Sequence, residues 1–463
     1  MPFQLVFLWT DVLIYVLLAA VIGFGLYAAR HEHLRAPWRL VARRPLAAAA
    51  AVVLAAYAAV GLLDSFHFHA RLAGGDGRYS AEVRSLLDVL AAPLRARTEK
   101  TYSAPFATHA YTKETVEHPD GRVAREYPRL EHGGAHLEDP GGRAADIAAR
   151  AALATLAGLG LWAVAVAGLV ALRRRRGETP ASVWRRFARG EDEIPWRTLL
   201  VTLGVVLVLA ANAVGLSFYY HVFGTDQVGQ DVFYRSLKSV RTGLVIGTLT
   251  TLVMLPFALL FGIAAGYFRG WVDNIIQYFY TTLNSIPWVL LVAASILSLQ
   301  VYMANNPEAF NTTAERADMR LLFLCLIMGV TSWTGLCRLL RGETFKLREG
   351  DYVQAARALG ASHGAIMARH LLPNVMHIVL ITVVLDFSSL VLAEAVLSYV
   401  GVGVDPTMES WGNMINGARL EMAREPMVWW SLTAAFVFMF GLVLAANLFA
   451  DAVRDAFDPR LRK

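Results

Sequence analysis

Long apolar stretches constrain the fold of this chain more than any other feature of its sequence. The hydrocarbon core of a bilayer is about 30 Å thick, so a helix needs roughly 20 apolar residues to cross it. Nine such stretches recur along the 463 residues, and only 17% of the residues are charged. Soluble proteins carry about 25% charged residues, so an ordinary soluble enzyme and a disordered chain are both excluded. The sequence predicts an all-α polytopic membrane protein.

The predicted spans form two groups on either side of a charged linker. An N-terminal membrane extension, 1–172, holds three spans and an insert at 64–146; the linker is 173–198 and a six-span core is 199–463. The predicted spans lie at about 5–29, 46–63 and 147–172 in the extension and at about 199–217, 242–266, 275–301, 321–337, 374–398 and 427–450 in the core.

The insert is predicted to be a small, loop-rich module outside the cell membrane. Paired glycines at three places in it indicate turns. One amphipathic stretch, Ser80–Leu94, places Val83, Leu86, Leu87 and Leu90 on a single helical face.

Basic residues predict the orientation. The short segments assigned to the cytoplasm carry 24 Lys and Arg residues, whereas the short segments on the opposite side carry 7. Because cytoplasmic loops are enriched in Lys and Arg, we expect an external N-terminus and a cytoplasmic C-terminus. The net charge of +6 is then an orientation signal and does not indicate nucleic acid as a partner.

The polar segment 338–373 predicts an elbow of two short helices between two spans. Asp351 suits an N-cap, with Gln354 three residues later as in a capping box. Gly360 suits the position just after a helix end, and Ser362 suits the next N-cap.

The surface of this elbow is predicted to suit a protein partner. Ala355 and Ala356 give it a smooth face that allows close approach, and Arg357 and Arg369 are available to acidic groups. Pro373 marks the junction with the next span. An ordinary structured loop is the alternative interpretation.

The elbow resembles the EAA loop of bacterial ABC importer permeases, whose pattern is E-A-A-x3-G-x9-I-x-L-P. The matching residues are Gln354, Ala355, Ala356, Gly360, Leu372 and Pro373. Gln354 stands in place of the usual Glu and His370 in place of the usual Ile, so a salt bridge at that corner is not expected from Gln354.

Further segments resemble the dipeptide, oligopeptide and nickel subfamily of these permeases. They lie at 225–231, 266–273, 286–287, 394–403 and 410–412. In the first of them, Asp226, Gly229 and Asp231 match an external TD-x-x-GRD pattern, with Gln230 in place of Arg.

The resemblance implies a six-helix permease core of the bacterial inner membrane, preceded here by about three extra helices. It implies that the elbow couples to a separate ATPase, through Asp351, Gln354, Ala355, Ala356, Arg357, Gly360, Leu372 and Pro373. The implied partners are a second homologous permease, two ATP-binding cassette ATPases, an external solute-binding protein and the lipid bilayer. The implied solutes are peptides or similar small molecules.

No cofactor is expected in this chain. A P-loop needs a Lys that follows a Gly, and no lysine here does. ATP and Mg²⁺ are therefore expected on the partner ATPases. Of the histidine pairs, only His132 and His136 have the i, i+4 spacing of helical metal ligands, and no HExxH motif accompanies them, so no metal site is expected.

Polar residues inside the spans are candidates for the translocation path. Asp386 lies near the middle of a predicted span with Ser389 beside it, and Glu394 lies nearer the external end. Pro256 and Pro287 interrupt spans and are expected to bend them. Packed polar contacts and static kinks are the alternatives.

Two other classes of function stay open from the sequence. A membrane-embedded enzyme such as a peptidase needs paired catalytic groups, and neither HExxH nor G-x-S-x-G is present. A membrane sensor or scaffold places its function in the insert and has no need of the elbow.

Overall fold

The computed structural model of the chain describes residues 3–71, 79–117, 123–173, 178–190, 192–310 and 312–457. Helices dominate these residues, as the apolar stretches predict. In chain order the helices are α1 Trp9–Arg30, α2 Glu32–Arg43, α3 Pro45–Asp64, α4 Leu86–Leu90, α5 Ala92–Ala96, α6 Arg143–Arg173, α7 Pro180–Arg189, α8 Trp196–Ser217, α9 Val232–Phe268, α10 Gly270–Ser285, α11 Trp288–Asn305, α12 Thr313–Ser332, α13 Thr334–Leu347, α14 Asp351–Ala358, α15 His363–Ile366, α16 Leu372–Tyr399, α17 Trp411–Glu421 and α18 Trp430–Phe457.

Nine helical segments of the described residues are long and apolar enough to cross a membrane. Each overlaps one predicted span, which confirms the polytopic helical fold. They are Trp9–Arg30, Pro45–Asp64, Pro140–Arg173, Trp196–Ser217, Val232–Phe268, Trp288–Asn305, Thr313–Leu347, His363–Tyr399 and Trp430–Phe457.

The prediction of one span at 275–301 is wrong, because the helix ends before Pro287 and a second helix begins after it. Ile286 has an extended backbone, as a residue before proline prefers, and the helix α11 starts only after Pro287. The membrane segment is therefore α11 alone, and α10 is a separate helix that carries Asp273 and Gln277. The helix α9 continues through Pro256, so this proline does not end a helix, and the bend expected there stays a prediction.

The predicted span 321–337 is too short at both ends. It starts later and ends earlier than the helical segment Thr313–Leu347. The helix α12 begins at Thr313 because Thr312 and Glu315 form a reciprocal capping box. After a short irregularity at Trp333, α13 carries the helix on to Leu347.

The insert and the N-terminal residues 3–6 contain strands that the sequence did not predict. An antiparallel sheet joins β1 (Phe3–Val6), β2 (His67–Arg71) and β3 (Tyr79–Ser85) in that order, and β4 (Glu114–Glu117) pairs with β5 (Val123–Glu126). The stretch Ser80–Leu94 is therefore a strand up to Ser85 and helical only afterwards. Ser85 causes the switch, because it forms a capping box with Asp88 at the start of α4.

The chain folds into two compact units. The first unit comprises Met1–Val6, Arg39–Thr242 and Glu409–Ala445, and the second comprises Phe7–Trp38, Gly243–Met408 and Ala446–Lys463. The functional division into an extension, a linker and a core stays a prediction.

In the first unit, the extra helix α6 packs closely along α8. A Cβ atom added to Gly158 of α6 would lie 2.8 Å from the Cα atom of Val208. The Trp162 indole donates to the carbonyl of Leu200 at 2.8 Å. Small residues permit such close approach of membrane helices, so α6 and α8 form one packed pair.

In the second unit, the extra helix α1 is fixed at its start to α12. The Asp318 carboxylate accepts from the Thr10 backbone N–H at 3.2 Å and from its hydroxyl group, and Thr10 and Asp11 are buried. The side chain of Asp318 thus satisfies a helix N-terminus that would be costly to leave without partners.

Substitution of Gly158 by Leu is expected to destabilise the first unit by about 1–3 kcal/mol, because the side chain has no room against α8. Gly160, on the same helix, has no neighbour within 4 Å of an added Cβ and is the matched control. Thermal unfolding of both variants in detergent checks this. Equal stability of Gly158→Leu and Gly160→Leu would show that α6 does not pack on α8.

Candidate functional site

The predicted loop 338–373 is mostly helical, and the part of it that forms the elbow is shorter than predicted. The helix α13 extends to Leu347, since Leu336, Cys337 and Leu340 are buried in the core of the second unit. The elbow is therefore the segment 348–362, which contains α14 and the turn into α15.

The cap of α14 at its C-terminal end is the predicted one, whereas the cap at its N-terminal end is not. The prediction of Asp351 as N-cap is wrong: Gly350 holds that position and Asp351 is the first helical residue, without a capping box. At the other end Gly360 has φ +78°, its N–H donates to Arg357 at 3.0 Å, and the Ala361 N–H donates to Ala356 at 3.0 Å. These two bonds form a Schellman motif, which confirms the predicted stop.

The helix α14 has one buried face and one exposed face. Val353 is buried and Ala356 half-buried in a core formed with Ile366, Leu371 and Val375. The exposed residues are Asp351, Tyr352, Gln354, Ala355, Arg357, Ala358, Leu359 and Gly360. Among them Leu359 is 88% exposed, so the helix ends in an uncovered apolar side chain.

Leu359 was not singled out from the sequence. The signal is an apolar residue directly before the predicted stop at Gly360, in a segment whose other exposed residues are small or polar. A large apolar side chain at such a place is often covered by a partner.

A bidentate ion pair fixes the helix that leads into the elbow. The Arg341 Nε and Nη2 atoms of α13 donate to the two carboxylate oxygens of Asp273 in α10, at 2.5 and 2.7 Å. The hydrogen bonds from Arg341 hold the pKa of Asp273 below its usual range. This pair joins α13 to the turn segment 266–273 that the sequence singled out.

The end of α9 holds the elbow itself. Arg348 donates to the Tyr267 carbonyl at 2.6 Å, and the Tyr267 hydroxyl lies 2.8 Å from Nδ1 of His363. Ser362 caps α15 by accepting from the Ala365 N–H at 3.3 Å, as predicted. The elbow is thus a rigid element attached to α9, α10 and α13.

The junction at Pro373 does not interrupt the helix. A π-helical turn, Met367–Leu371, leads from α15 into α16, and Leu372 donates to the Met367 carbonyl. Pro373 lies in the first turn of α16, where a missing N–H is tolerated. Asn374 donates to the His370 carbonyl at 2.7 Å and to the Tyr352 hydroxyl at 3.3 Å, which connects α16 to α14.

The candidate path residues do not form one cluster. On α16, Asp386 is half-buried, Ser389 is exposed and Glu394 is buried, where it accepts from Ser398 Oγ at 2.6 Å. Asp386 and Glu394 are about 12 Å apart along the helix. Pro287 lies at the start of α11. The buried Ser388 hydroxyl has no hydrogen-bond partner among the described residues, so α16 carries a polar stretch within a span.

In the first unit, the segment 225–231, which the sequence predicts to be external, forms a tight turn before α9. Asp226 Oδ1 accepts from the Val228 and Gln230 N–H groups, at 3.0 and 2.8 Å, and Gly229 has φ +74°. Asp231 caps α9 by accepting from the N–H groups of its first turn. The structure thus gathers the predicted Asp226, Gly229 and Asp231 into one motif.

The insert is bound to this motif by a buried charge cluster. His221 lies 2.8 Å from Asp231 and 3.3 Å from Glu99 of the insert, and all three are buried. Glu99 also accepts from three successive backbone N–H groups beginning at Glu131. A Cβ at Gly229 would collide with the Glu99 backbone, so this position requires glycine.

The contacts within the cluster shift the pKa values of Glu99 and His221 so that both groups are charged at neutral pH. Burial alone would raise the pKa of Glu99, but the hydrogen bonds from His221 and the backbone lower it to about 2. Burial alone would lower the pKa of His221, but the hydrogen bonds to Asp231 and Glu99 raise it to about 9. His221 is therefore a cation between two carboxylates at neutral pH, and neither it nor Glu99 was singled out from the sequence.

The histidines of the insert serve other contacts. His132 donates a backbone N–H to Glu99, and Nε2 of His136 lies 2.8 Å from Asp146. Among the residues that the structure describes, no group of three or more His, Cys, Asp or Glu side chains is arranged so that it could hold a metal ion.

Comparison with known proteins identifies relatives for the C-terminal half. The family model described as "Binding-protein-dependent transport system inner membrane component" matches residues 258–463. The glutathione transport system permease protein GsiD of Pectobacterium atrosepticum is 32% identical over 244 residues, which are 52% of this chain and 73% of that protein. The dipeptide transport system permease protein DppC of Bacillus subtilis is 30% identical over 52% of this chain and 70% of its own. The oligopeptide transport system permease protein OppC of Haemophilus influenzae is 28% identical, over 52% and 71%.

Replacement of His221 by Gln is expected to lower stability by about 3–5 kcal/mol, because two buried carboxylates lose their cation. An unfolded histidine titrates near pH 6.5. The contribution of His221 is thus complete below that pH and is lost as the pH rises towards its folded pKa of about 9.

Thermal unfolding of the wild type and of His221→Gln between pH 6 and 9 checks this. The difference in Tm is expected to shrink as the pH rises, and the exposed His109→Gln serves as the control. A difference that is constant across this range would contradict a charged His221.

Proposed function

This chain belongs to the family of binding-protein-dependent transport system inner membrane components, and from that premise we propose which solute it carries and how it is driven. It is a non-catalytic permease subunit of an ATP-binding cassette importer, a protein of the inner membrane with several spans. We propose that its solutes are peptides or similar small molecules. The named transport systems of the relatives, for glutathione, dipeptides and oligopeptides, support this. They favour the permease interpretation over a membrane enzyme or a sensor.

The importer that contains this chain has an ATPase and a binding protein. In finer detail, we propose a complex with a second homologous permease, two ATP-binding cassette ATPases and one external solute-binding protein. ATP and Mg²⁺ are bound by the ATPases. The N-terminus is external and the C-terminus cytoplasmic, which places the elbow on the ATPase side.

The exposed face of α14 is the observation that carries the coupling proposal. Ala355, Ala358 and Leu359 form an apolar outward surface, whereas Val353 fixes the opposite face in the core. Leu359 would enter a groove on the ATPase, and Gln354 and Arg357 would make polar contacts around it. A rigid, capped helix transmits a push better than a flexible loop does, because it has few internal degrees of freedom.

The ion pair between Arg341 and Asp273 would pass the motion of the elbow to α10. The chain continues from α10 through the break at Pro287 into the span α11. A displacement of α14 would therefore reach two spans at once, α16 through the π-helical turn and α11 through α10. The polar stretch of α16, with Asp386, Ser389 and Glu394, would form part of the translocation path.

Substitution of Leu359 by Asp is expected to abolish ATP-driven uptake by the reconstituted importer. Loss of a central apolar contact costs about 2 kcal/mol or more, which weakens ATPase binding roughly 30-fold. The control is Val123→Asp on the insert, where the side chain is 65% exposed. ATPase binding and solute uptake by both variants in proteoliposomes check the proposal. Normal ATPase binding by Leu359→Asp would remove α14 as the coupling helix.

A further inference from the structure

The segment between α6 and α8 has exposed arginines among its described residues. Three acidic side chains that the structure describes there are paired: Arg186 bridges Glu178 at 2.8 Å and Asp192 at 3.2 Å, and Glu193 pairs with Arg43 at 2.6 Å. Arg185 and Arg197 are exposed, and neither takes part in an ion pair with a described residue. Arg185 and Arg197 therefore leave positive charge on the exposed surface of this region.

The helix α7 is held in place by its apolar face. Val183 and Phe187 are buried against Val166 and Val170 of α6 and against α8. The Phe187 and Trp196 rings stack at 4.7 Å between centroids. The guanidinium of Arg173 lies 5.1 Å from the Trp196 ring. The Arg173 guanidinium thus lies beside the aromatic stack, and Arg197 is the next residue after Trp196.

The opposite face of α7 carries a tryptophan beside an arginine. Ala181, Trp184, Arg185 and Ala188 are exposed and recur at the three- and four-residue spacing of one helical face. Trp184 is 41% exposed. Tryptophan is enriched at the level of lipid headgroups, and amphipathic basic helices lie in that plane.

The position of α7 follows from its neighbours along the chain. The span α6 ends at Arg173 and the span α8 begins at Trp196. Both ends lie at the same membrane surface, because α6 and α8 are consecutive spans joined by a short segment. The helix α7 between them is therefore at headgroup depth.

We propose that Arg173, Trp184, Arg185 and Arg197, here called the α7 surface, bind the phosphate groups of anionic phospholipids. Guanidinium groups donate two parallel hydrogen bonds to a phosphate. Basic residues next to the end of a span attract anionic headgroups. The described acidic side chains nearby are paired with arginines, whereas Arg185 and Arg197 are exposed and Trp184 lies at the level of the headgroups. This combination favours an anionic lipid over a zwitterionic one.

A fluorescence-quenching experiment tests this with the full chain in nanodiscs. Ala188→Cys places a bimane label on the exposed face of α7, whereas the native Cys325 and Cys337 are buried. Phosphatidylcholine nanodiscs receive increasing fractions of phosphatidylglycerol or of phosphatidylcholine, each spin-labelled near the top of the acyl chain. Half-quenching is expected at an about tenfold lower fraction of the anionic lipid.

The Arg185→Gln/Arg197→Gln variant is expected to lose this preference. The Lys113→Gln/Arg125→Gln variant removes the same charge from exposed positions of the insert and is expected to retain it. Equal quenching by the two lipids in the parent protein would overturn the proposal. A similar loss of preference in both variants would also overturn it, because net charge would then account for the effect.

Discussion

The bilayer core accepts neither unpaired backbone groups nor isolated charges, and most of this structure follows from that constraint. Nine helical segments satisfy their own backbone where they cross. Several charges near the ends of these segments are paired. Lys238 of α9 contacts Asp64 at 2.7 Å and Asp88 at 2.9 Å, and Arg341 of α13 forms two bonds with Asp273.

In the first unit, such ion pairs connect the N-terminal extension to helix α9. Asp64 ends the extra helix α3 and Asp88 starts α4 of the insert, and both depend on a lysine from α9. Glu99 of the insert depends in the same way on His221, close to the segment 225–231. Removing either side would leave buried charges without partners, which costs several kcal/mol. The extra helices and the insert are therefore integrated with α8 and α9 and not appended to them.

The sequence predicted what depends on local patterns. Apolar length located the spans, and Gly360 and Ser362 located the ends of helices in the elbow, since each acts within a few residues. It misplaced the N-cap at Asp351 because Gly350 adopts the same extended backbone. It predicted an interruption at Pro287 but not that one helix ends and another begins there, because an apolar run looks continuous across it.

Contacts between residues that are distant along the chain could not be predicted from the sequence. Glu99 and His221 are 122 residues apart, and Asp273 and Arg341 are 68 residues apart. No periodicity links such positions, so only the folded chain shows that they meet. Leu359 was missed for a different reason: its place before Gly360 is visible in the sequence, but only the folded chain shows that its side chain is 88% exposed.

Site-specific photo-crosslinking tests the coupling role of the elbow most directly. A benzophenone amino acid at position 359, in cells that express the complete importer, is expected to crosslink to an ATP-binding cassette ATPase identified by mass spectrometry. The same group at position 123 of the insert is expected to give no crosslink to that ATPase. Crosslinks from position 359 to lipid alone, or to the external solute-binding protein, would contradict the account.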